Sequence, residues 1–429
     1  MHVILDVSRL LFSVRRAAPS GIDRVEMAYA KRWAAQPPKA CTFAAQIPAG
    51  GFAAVPRPAL AALLDAIEAA WDGAAGARRH AWRAALPILA GLGVGAGKRA
   101  LRDALAAPRG AAGGPSVFLL VSHRALDRAA AIAPLRRAGA AFVPFVHDLI
   151  PLSHPEYARP PQVKRHAARV ATVAAMADGV VVNSAATADS LRGELASRGL
   201  PAPTVTVAPL GIGTRRAAVP LPPTPDGAPY FVCLGTIEPR KNHLLLLHLW
   251  RDFAARLGGR APRLLLLGRR GWENENILDL LDRCSALRGL VRECGTPGDA
   301  EVASLLSGSR ALLFPSFAEG YGLPLAEALA LGVPALCSDL PALREVGGAV
   351  PDYLDPLDGA AWRRAVLDYA EPGSAARAAQ LSRLQGWRAP GWDAHFDAVD
   401  ALLERVVRGP SARGAAAPTR AAALEGVPA

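Results

Sequence analysis

At 429 residues the chain exceeds what one hydrophobic core usually organises, which predicts two or three domains. Half of it is apolar, which excludes global disorder; its five cysteines (Cys41, Cys233, Cys284, Cys294 and Cys337) are scattered and never spaced as CxxC, which argues against a disulfide framework or zinc site and fits a reducing cytosol. The net charge of +12, almost all of it arginine, invites anionic partners (nucleic acid, acidic lipid or phosphorylated substrates), although a composition rich in alanine and arginine accounts for it as well.

The opening "MHVILDVSRLL" alternates like a strand over residues 2–7 and lacks the basic start and long apolar run of a secretory signal, so the chain is expected inside the cell. A polar loop follows, then a helix through "SGIDRVEMAYAKRW", with Ser20 and Asp23 as its capping pair. Residues 49–114 are alanine-rich, with helical stretches such as "ALAALLDAIEAAW" and a basic patch of Arg78, Arg79, Arg83, Lys98, Arg99 and Arg102. Within them "AALPILAGLGVGAG" is too short and too glycine-rich to span a bilayer, which takes about 20 apolar residues.

From residue 117 strand and helix alternate: "VFLLVS", "AFVPFVHD", "GVVVNS" and "TVTVAPLG" are apolar runs separated by helical patterns, the signature of a parallel sheet covered on both faces. The proline-dense "PLPPTPDGAP" at 220–229 breaks every periodicity and reads as an interdomain linker. The pattern then restarts with "YFVCLGT", "PRLLLLG", "LVRECG", "ALLFPS" and "PALCSD", a second doubly wound sheet. The predicted division is therefore a first α/β domain at 1–219, the linker, a second domain at 230–385, a helix at 386–408 packing back toward the first domain, and a disordered tail at 409–429. Two such halves place a cleft between them, lined by the carboxyl ends of strands from both sides.

"SFAEGYGLPLAEALALGVPALCSD" sets two glutamates eight positions apart at the end of a buried strand. Glu319 falls in the loop and Glu327 about one turn into a helix that Pro324 opens and Gly332 ends. The N–H groups of Gly320, Tyr321, Gly322 and Leu323 between them are expected to be unpaired donors, a helix end that binds phosphate. Carboxylates only accept hydrogen bonds, so two of them flanking a phosphate site fit a ligand with a diol at each end and a diphosphate between, a nucleotide sugar. The bland alternative is that Glu327 complements the helix dipole and Glu319 is a solvated loop residue.

The spacing in "EGYGLPLAE", preceded by "LLFPSFA" and followed by "ALALGVPALCSDLPALREVGG", resembles the retaining glycosyltransferases of family 4, in their mannosyltransferase-like branch. "CLGTIEPRKNHLLLL" resembles the first strand and loop of that family's donor domain, and "VHDLIPLSHPEY" its acceptor-domain strand and loop. The resemblance implies the GT-B fold, α/β with two Rossmann-like domains facing a cleft. It also implies that Glu319 contacts hydroxyls of the donor sugar, that Glu327 holds the ribose, and that Lys241 neutralises the diphosphate. Many members carry arginine where this chain has Thr236, and Arg240 is the residue placed to replace it. The resemblance further implies that His147 touches the donor sugar near the reacting carbon, that "PSGIDRVE" lies near the acceptor with Gly21 allowing close approach and Arg24 meeting an anion, and that retention proceeds by same-face displacement.

Other residues are read from position. His147 ends its strand beside Asp148 and is expected to protrude into the cleft. Asn183 and Ser184 end "GVVVNS" and begin a helix on the acceptor side; capping alone explains them, with acceptor binding as the alternative. Gly268 to Trp272, and Gly295 with Thr296, follow two strands of the second domain and frame a base-binding position; Trp272 either stacks there or packs inside. No D-x-D tripeptide occurs, so no metal and no cofactor is expected, and the leaving diphosphate is to be balanced by Lys241, Arg240 and the helix end. The expected partners are a nucleotide sugar, GDP-mannose or another dTDP-, UDP- or GDP-sugar, and a saccharide or lipid-linked oligosaccharide acceptor. The basic 78–102 region is the candidate contact with an anionic membrane at its inner face. A noncatalytic polyanion or nucleic-acid binder is the rival from another class; it lacks an RNA motif or stacking platform here, and nucleic acid is not expected as a partner. A GT-B epimerase or phosphorylase is a third alternative.

Overall fold

Runs such as Val3-Ile4-Leu5 and Leu264-Leu265-Leu266-Leu267, almost wholly shielded from solvent, can be satisfied only as strands buried on both faces. The computed structural model describes residues 1–16, 18–47, 50–93, 97–98, 101–102, 114–213 and 227–409. In it β1 (His2–Asp6), β2 (Cys41–Gln46), β3 (Phe52–Val55), β4 (Ser116–Leu120), β5 (Ala141–Val146), β6 (Gly179–Val182) and β7 (Thr204–Val207) form one sheet in the order β3-β2-β1-β4-β5-β6-β7. All neighbours are parallel except β2 and β3. A second, wholly parallel sheet contains β8 (Tyr230–Leu234), β9 (Arg263–Leu267), β10 (Val291–Gly295), β11 (Leu312–Phe314), β12 (Ala335–Ser338) and β13 (Asp352–Leu354), in the order β10-β9-β8-β11-β12-β13. Beyond the expected strands, β2 and β3 extend the first sheet and β13 the second.

Each order reverses at one point, between β1 and β4 in the first sheet and between β8 and β11 in the second. Loops diverge there and leave a crevice at the carboxyl ends of the strands, where ligands bind in open α/β sheets. The helices that cover the sheets are held by apolar stripes: on His243–Leu257, Leu246, Trp250 and Phe253 recur at helical spacing and are fully buried. Trp250→Ala would remove the largest of them, at a cost of about 3–5 kcal/mol.

The residues before the second domain and after it are tied together. The helix Trp392–Arg408 lies on β4 to β7 of the first sheet. His395, kept neutral by burial with its pKa lowered to about 4, donates from Nδ1 to the Ala208 and Pro209 carbonyls and accepts the Tyr29 hydroxyl on Nε2 at 2.8 Å. Gly211 is obligatory at this junction, because a Cβ there would lie 2.4 Å from Trp392 Cγ. The alanine-rich stretch forms the helices Arg57–Trp71 and Ala77–Gly93, and Arg78, Arg79, Arg83, Lys98 and Arg102 are exposed. Arg99, residues 220–226 of the expected linker and residues 410–429 of the expected tail lie outside the described residues. Among the described residues no helix is long and apolar enough to cross a membrane.

Candidate active site

The carboxyl end of β8 runs through Gly235 and Thr236 into the short turn Pro239–Lys241, where Asn242, at φ +54°, starts the helix His243–Leu257. This turn aims two cations at one carboxylate. Lys241 Nζ donates to Glu319 Oε1 at 2.5 Å, and Arg240 Nη1 lies 3.1 Å from the same oxygen while also donating to the Ala318 carbonyl at 2.6 Å. Arg240 Nη2 donates to Glu238 Oε1 at 2.7 Å, and the Phe317 N–H donates back to the Arg240 carbonyl at 2.9 Å. Burial pushes the Glu319 carboxyl up, but Arg240 and Lys241 outweigh it and hold the pKa near 2. Burial lowers Lys241 below the usual lysine range, and Glu319 only partly restores it because Arg240 repels the same ammonium. The contact thus favours the carboxylate more than the lysine: Glu319 faces two cations, and Lys241 shares one anion.

The loop after β11 leads into the helix Leu323–Ala330. Gly322, at φ +101°, caps it in a conformation that suits glycine, and a Cβ would meet Leu343 Cδ2 at 2.4 Å. Pro324 takes the second helical position, not the first as its sequence suggested, and the helix ends at Ala330, two residues before Gly332. The N–H groups of Gly320, Tyr321, Gly322 and Leu323 have no hydrogen-bond partner among the described residues, so the positive end of the helix presents free donors. Glu327 is buried one turn in and helps hold Arg24 protonated. Tyr321 turns its side chain away, donating its hydroxyl to the Leu210 carbonyl at 2.8 Å, so only its N–H remains at the helix end.

The loops after β8, β9 and β10 lie against each other. Gly268 donates its N–H to the Gly295 carbonyl at 2.7 Å, and a Cβ on it would fall 1.9 Å from the Gly235 carbonyl oxygen. Thr236 Cγ2 would be 2.8 Å from a Cβ on Gly271, and the half-buried Thr296 follows Gly295. Arg159 of the first domain lies over Trp272, 5.9 Å from its ring centroid, and the buried Trp272 Nε1 has no partner among the described residues.

From the first domain His147 meets the loop that carries Gly320, but not as a protruding side chain. Its ring lies flat on Phe145, with centroids 4.2 Å apart, and Nε2 donates to the Val121 carbonyl at 2.7 Å. Burial lowers its pKa to about 4, so Nδ1 carries the lone pair at neutral pH. It is the His147 carbonyl that abuts the loop: a Cβ on Gly320 would stand 2.3 Å from that oxygen. Asp148 caps the next turn, accepting the Ile150 N–H at 3.2 Å.

Of the expected acceptor-side residues, Asn183 is used within the first domain, while Ser184, Arg24 and Gly21 meet the second. Asn183 Nδ2 donates to the His147 carbonyl at 2.9 Å; the Ser184 hydroxyl caps the helix Ala185–Ser197 and reaches the Gly320 carbonyl at 2.8 Å, beside Thr187 Oγ1 at 3.1 Å. The anion that Arg24 meets is Asp299 of the second domain, in a two-pronged pair at 2.6 and 2.7 Å. Gly21 allows the approach of Leu323, whose Cδ1 would lie 2.9 Å from a Cβ there. His123 was not singled out by the sequence. Its Nε2 accepts the His147 N–H at 3.0 Å and its ring centroid lies 5.2 Å from that of His147.

Residues 219–349 match the family model described as Glycosyl transferases group 1. Over 245 residues, 53% of this chain, it is 30% identical to the serotype-specific mannosyltransferase WbdA of Escherichia coli, and over 129 residues, 30% of this chain, it is 38% identical to the O-antigen chain mannosyltransferase B of the same organism. The chain covers 29% and 33% of those proteins, about a third of the curated relatives it matches. In architecture it is similar to Anabaena Alr3699/HepE, solved in complex with UDP and glucose, with a TM-score of 0.62 at 14% identity, covering 94% of this chain and 100% of that one. The fold is thus GT-B, and the Arg240–Lys241–Glu319 cluster lies within the stretch that matches the Glycosyl transferases group 1 model.

Proposed function

We propose that the chain is a retaining glycosyltransferase that moves mannose from GDP-mannose to a saccharide acceptor on a lipid-linked polysaccharide intermediate. One observation carries this reading: Arg240, Lys241, Glu319 and the four unpartnered N–H groups from Gly320 to Leu323 converge at the reversal point of the second sheet. A nucleotide sugar matches that set group for group. Its diphosphate fits the helix end and the two cations, which act where charge develops as the glycosidic C–O bond breaks. Glu319, held ionised by its neighbours, can only accept, and so orients donor hydroxyls; Glu327 is positioned for the ribose diol. The acceptor oxygen attacks the anomeric carbon from the face the diphosphate leaves, and its proton passes to a departing phosphate oxygen. His147, neutral at physiological pH, offers Nδ1 as a hydrogen-bond acceptor rather than serving as a general base. The mannosyltransferase relatives support mannose as the sugar.

The exposed Arg78, Arg79, Arg83, Lys98 and Arg102 would rest on acidic lipid, which cosedimentation with liposomes of varied anionic content tests. For the main reading, GDP-mannose should raise the melting temperature and other nucleotide sugars less so; Glu327→Gln should abolish that rise. NMR of the product from a lipid-linked acceptor should show the donor's anomeric configuration. An inverted product, or a shift with no GDP-sugar, would overturn the corresponding part.

A further inference from the structure

The reversal point of the first sheet holds a cavity of about 380 Å³, at the lower end of the size of small-ligand sites. Its wall carries Arg9, Arg16, Arg124, Arg128, Arg165 and Arg169, against one lining carboxylate, Asp127. Asp23 answers Arg9 and Arg16 together, through contacts at 2.6 and 2.9 Å, and Asp127 reaches Arg165 only at 3.4 Å. Arg128 is exposed and has no partner among the described residues. The guanidinium of Arg124 is laid over the Phe12 ring, 3.9 Å from its centroid, which fixes the fork without neutralising it.

The unsatisfied groups of the wall all have one sense. Arg124 Nε, Arg169 Nε and Gln46 Nε2 are buried donors without partners among the described residues, and Gln46 is 7% exposed. Because His123 accepts a backbone N–H on Nε2, its proton sits on Nδ1, so it adds another donor. A surplus of positive charge with orphaned donors calls for a compact anion with several acceptor oxygens, and planar arginine forks match phosphate oxygens in pairs.

We propose that this cavity receives a phosphoryl group of the acceptor, a saccharide phosphate or diphosphate. The assignment as acceptor subsite rests on the reading of the second-domain cleft as the donor site. The distance of the cavity from the donor loop suits it: His123 lines it, the His147 ring adjoins His123, and the His147 carbonyl abuts Gly320. The anion would be gripped to one side of the reacting hydroxyl, where binding energy can align the sugar without blocking attack. Ile47 is shared with a second, mostly apolar cavity, so a lipid carried by the same phosphate has a surface to follow.

The test uses the full chain and equilibrium binding at fixed ionic strength of a fluorescent mannosyl disaccharide with and without a terminal phosphomonoester. The phosphorylated probe should bind about 30-fold more tightly, as two or so charge-assisted hydrogen bonds imply. In the Arg128→Ala/Arg165→Ala variant, which changes two exposed side chains, the difference should shrink to about threefold, while the melting shift with GDP-mannose stays unchanged. Equal binding of both probes, or a preference that survives the double variant, overturns the proposal. If the phosphate preference is present but no nucleotide sugar shifts the melting temperature, the donor reading fails and the anion site stands without its acceptor role. The same disaccharide on a polyisoprenyl diphosphate, in detergent micelles, separates the sources: tighter binding than the monoester assigns the phosphate to a lipid carrier, equal or weaker binding to a soluble sugar phosphate.

Discussion

The two sheets reverse strand order at facing points, and each point concentrates buried charge, but the charges are balanced in opposite ways. In the second sheet Glu319 sits between Arg240 and Lys241 and is held ionised, near a pKa of 2. In the first sheet Asp6, at the end of β1, and Glu26, on the helix Gly21–Ala34, are fully buried, with Asp6 Oδ2 and Glu26 Oε2 unpartnered among the described residues; burial keeps both above the usual carboxylate range, and Asp6 pushes Glu26 further up. Arg124 acts on Asp6 and Arg9 on Glu26, but neither outweighs the burial. A compensated cluster is already organised for a ligand whose charge changes during reaction. An excess of donors is organised for a ligand whose charge does not change.

The largest effect expected from this contrast is at Lys241. Lys241→Ala removes a cation that the proposed donor's diphosphate would meet and leaves Glu319 with Arg240 alone, so on that reading the transfer rate should fall about 10²–10³-fold. Steady-state rates with GDP-mannose measure it, and activity within threefold of the parent would place the chemistry elsewhere. An alanine at Arg128 should instead raise the acceptor KM and spare kcat, because the first-sheet anion is the same before and after transfer.

The carboxylates sharpen the comparison through pH. Glu319 titrates lower in the folded than in the unfolded chain, so its contribution is present above about pH 4.5 and is lost as pH falls through about 2; it is at most about 3 kcal/mol, since Lys241 gains less than Glu319 from their contact. Asp6 has the opposite sign. Its folded pKa is raised to about 7, so the fold is favoured while it is protonated, and stability declines as pH rises through that value. Urea unfolding between pH 3 and 8 should show both limbs, Glu319→Gln flattening the acid one and Asp6→Asn the neutral one. A neutral limb unchanged in Asp6→Asn would mean that Asp6 titrates normally.

The second-sheet cluster was legible in the sequence because its parts are local: "EPRKN" and "EGYGLPLAE" each place their groups within one strand-loop-helix, where spacing fixes geometry. The first-sheet cavity was not, since Arg9, Arg16, Arg124, Arg128, Arg165 and Arg169 come from three distant stretches that only the order β2-β1-β4-β5 brings together. Strands β2 and β3 were hidden for a related reason. Alanines such as Ala44, Ala45, Ala53 and Ala54 carry little strand preference, and tertiary pairing decides their conformation. Arg24 was read as meeting a ligand's anion, and the cap Ser184 as a candidate acceptor contact, because a sequence shows a polar group at a helix end but not the carboxylate or carbonyl opposite it in the other domain.

Those interdomain contacts supply the smaller tests. Gly320→Ala places a methyl group against the His147 carbonyl, and overpacking of this kind costs about 1–3 kcal/mol. If the facing points must close on each other for transfer, kcat should drop about tenfold or more while the GDP-mannose melting shift persists; a variant with full kcat would show that the domains need not approach this closely. Smaller still is the coupling of Arg24 to Asp299. Both side chains are partly exposed, so screening limits the pair, and a double-mutant cycle with Arg24→Ala and Asp299→Ala should give about 1 kcal/mol, diminishing with salt. The cycle should be run on kcat as well as on stability, because a clamp between domains changes the population of closed molecules without touching either substrate. A coupling seen in stability and missing from kcat would leave the two reversal points independent, joined by the fold but not by the reaction.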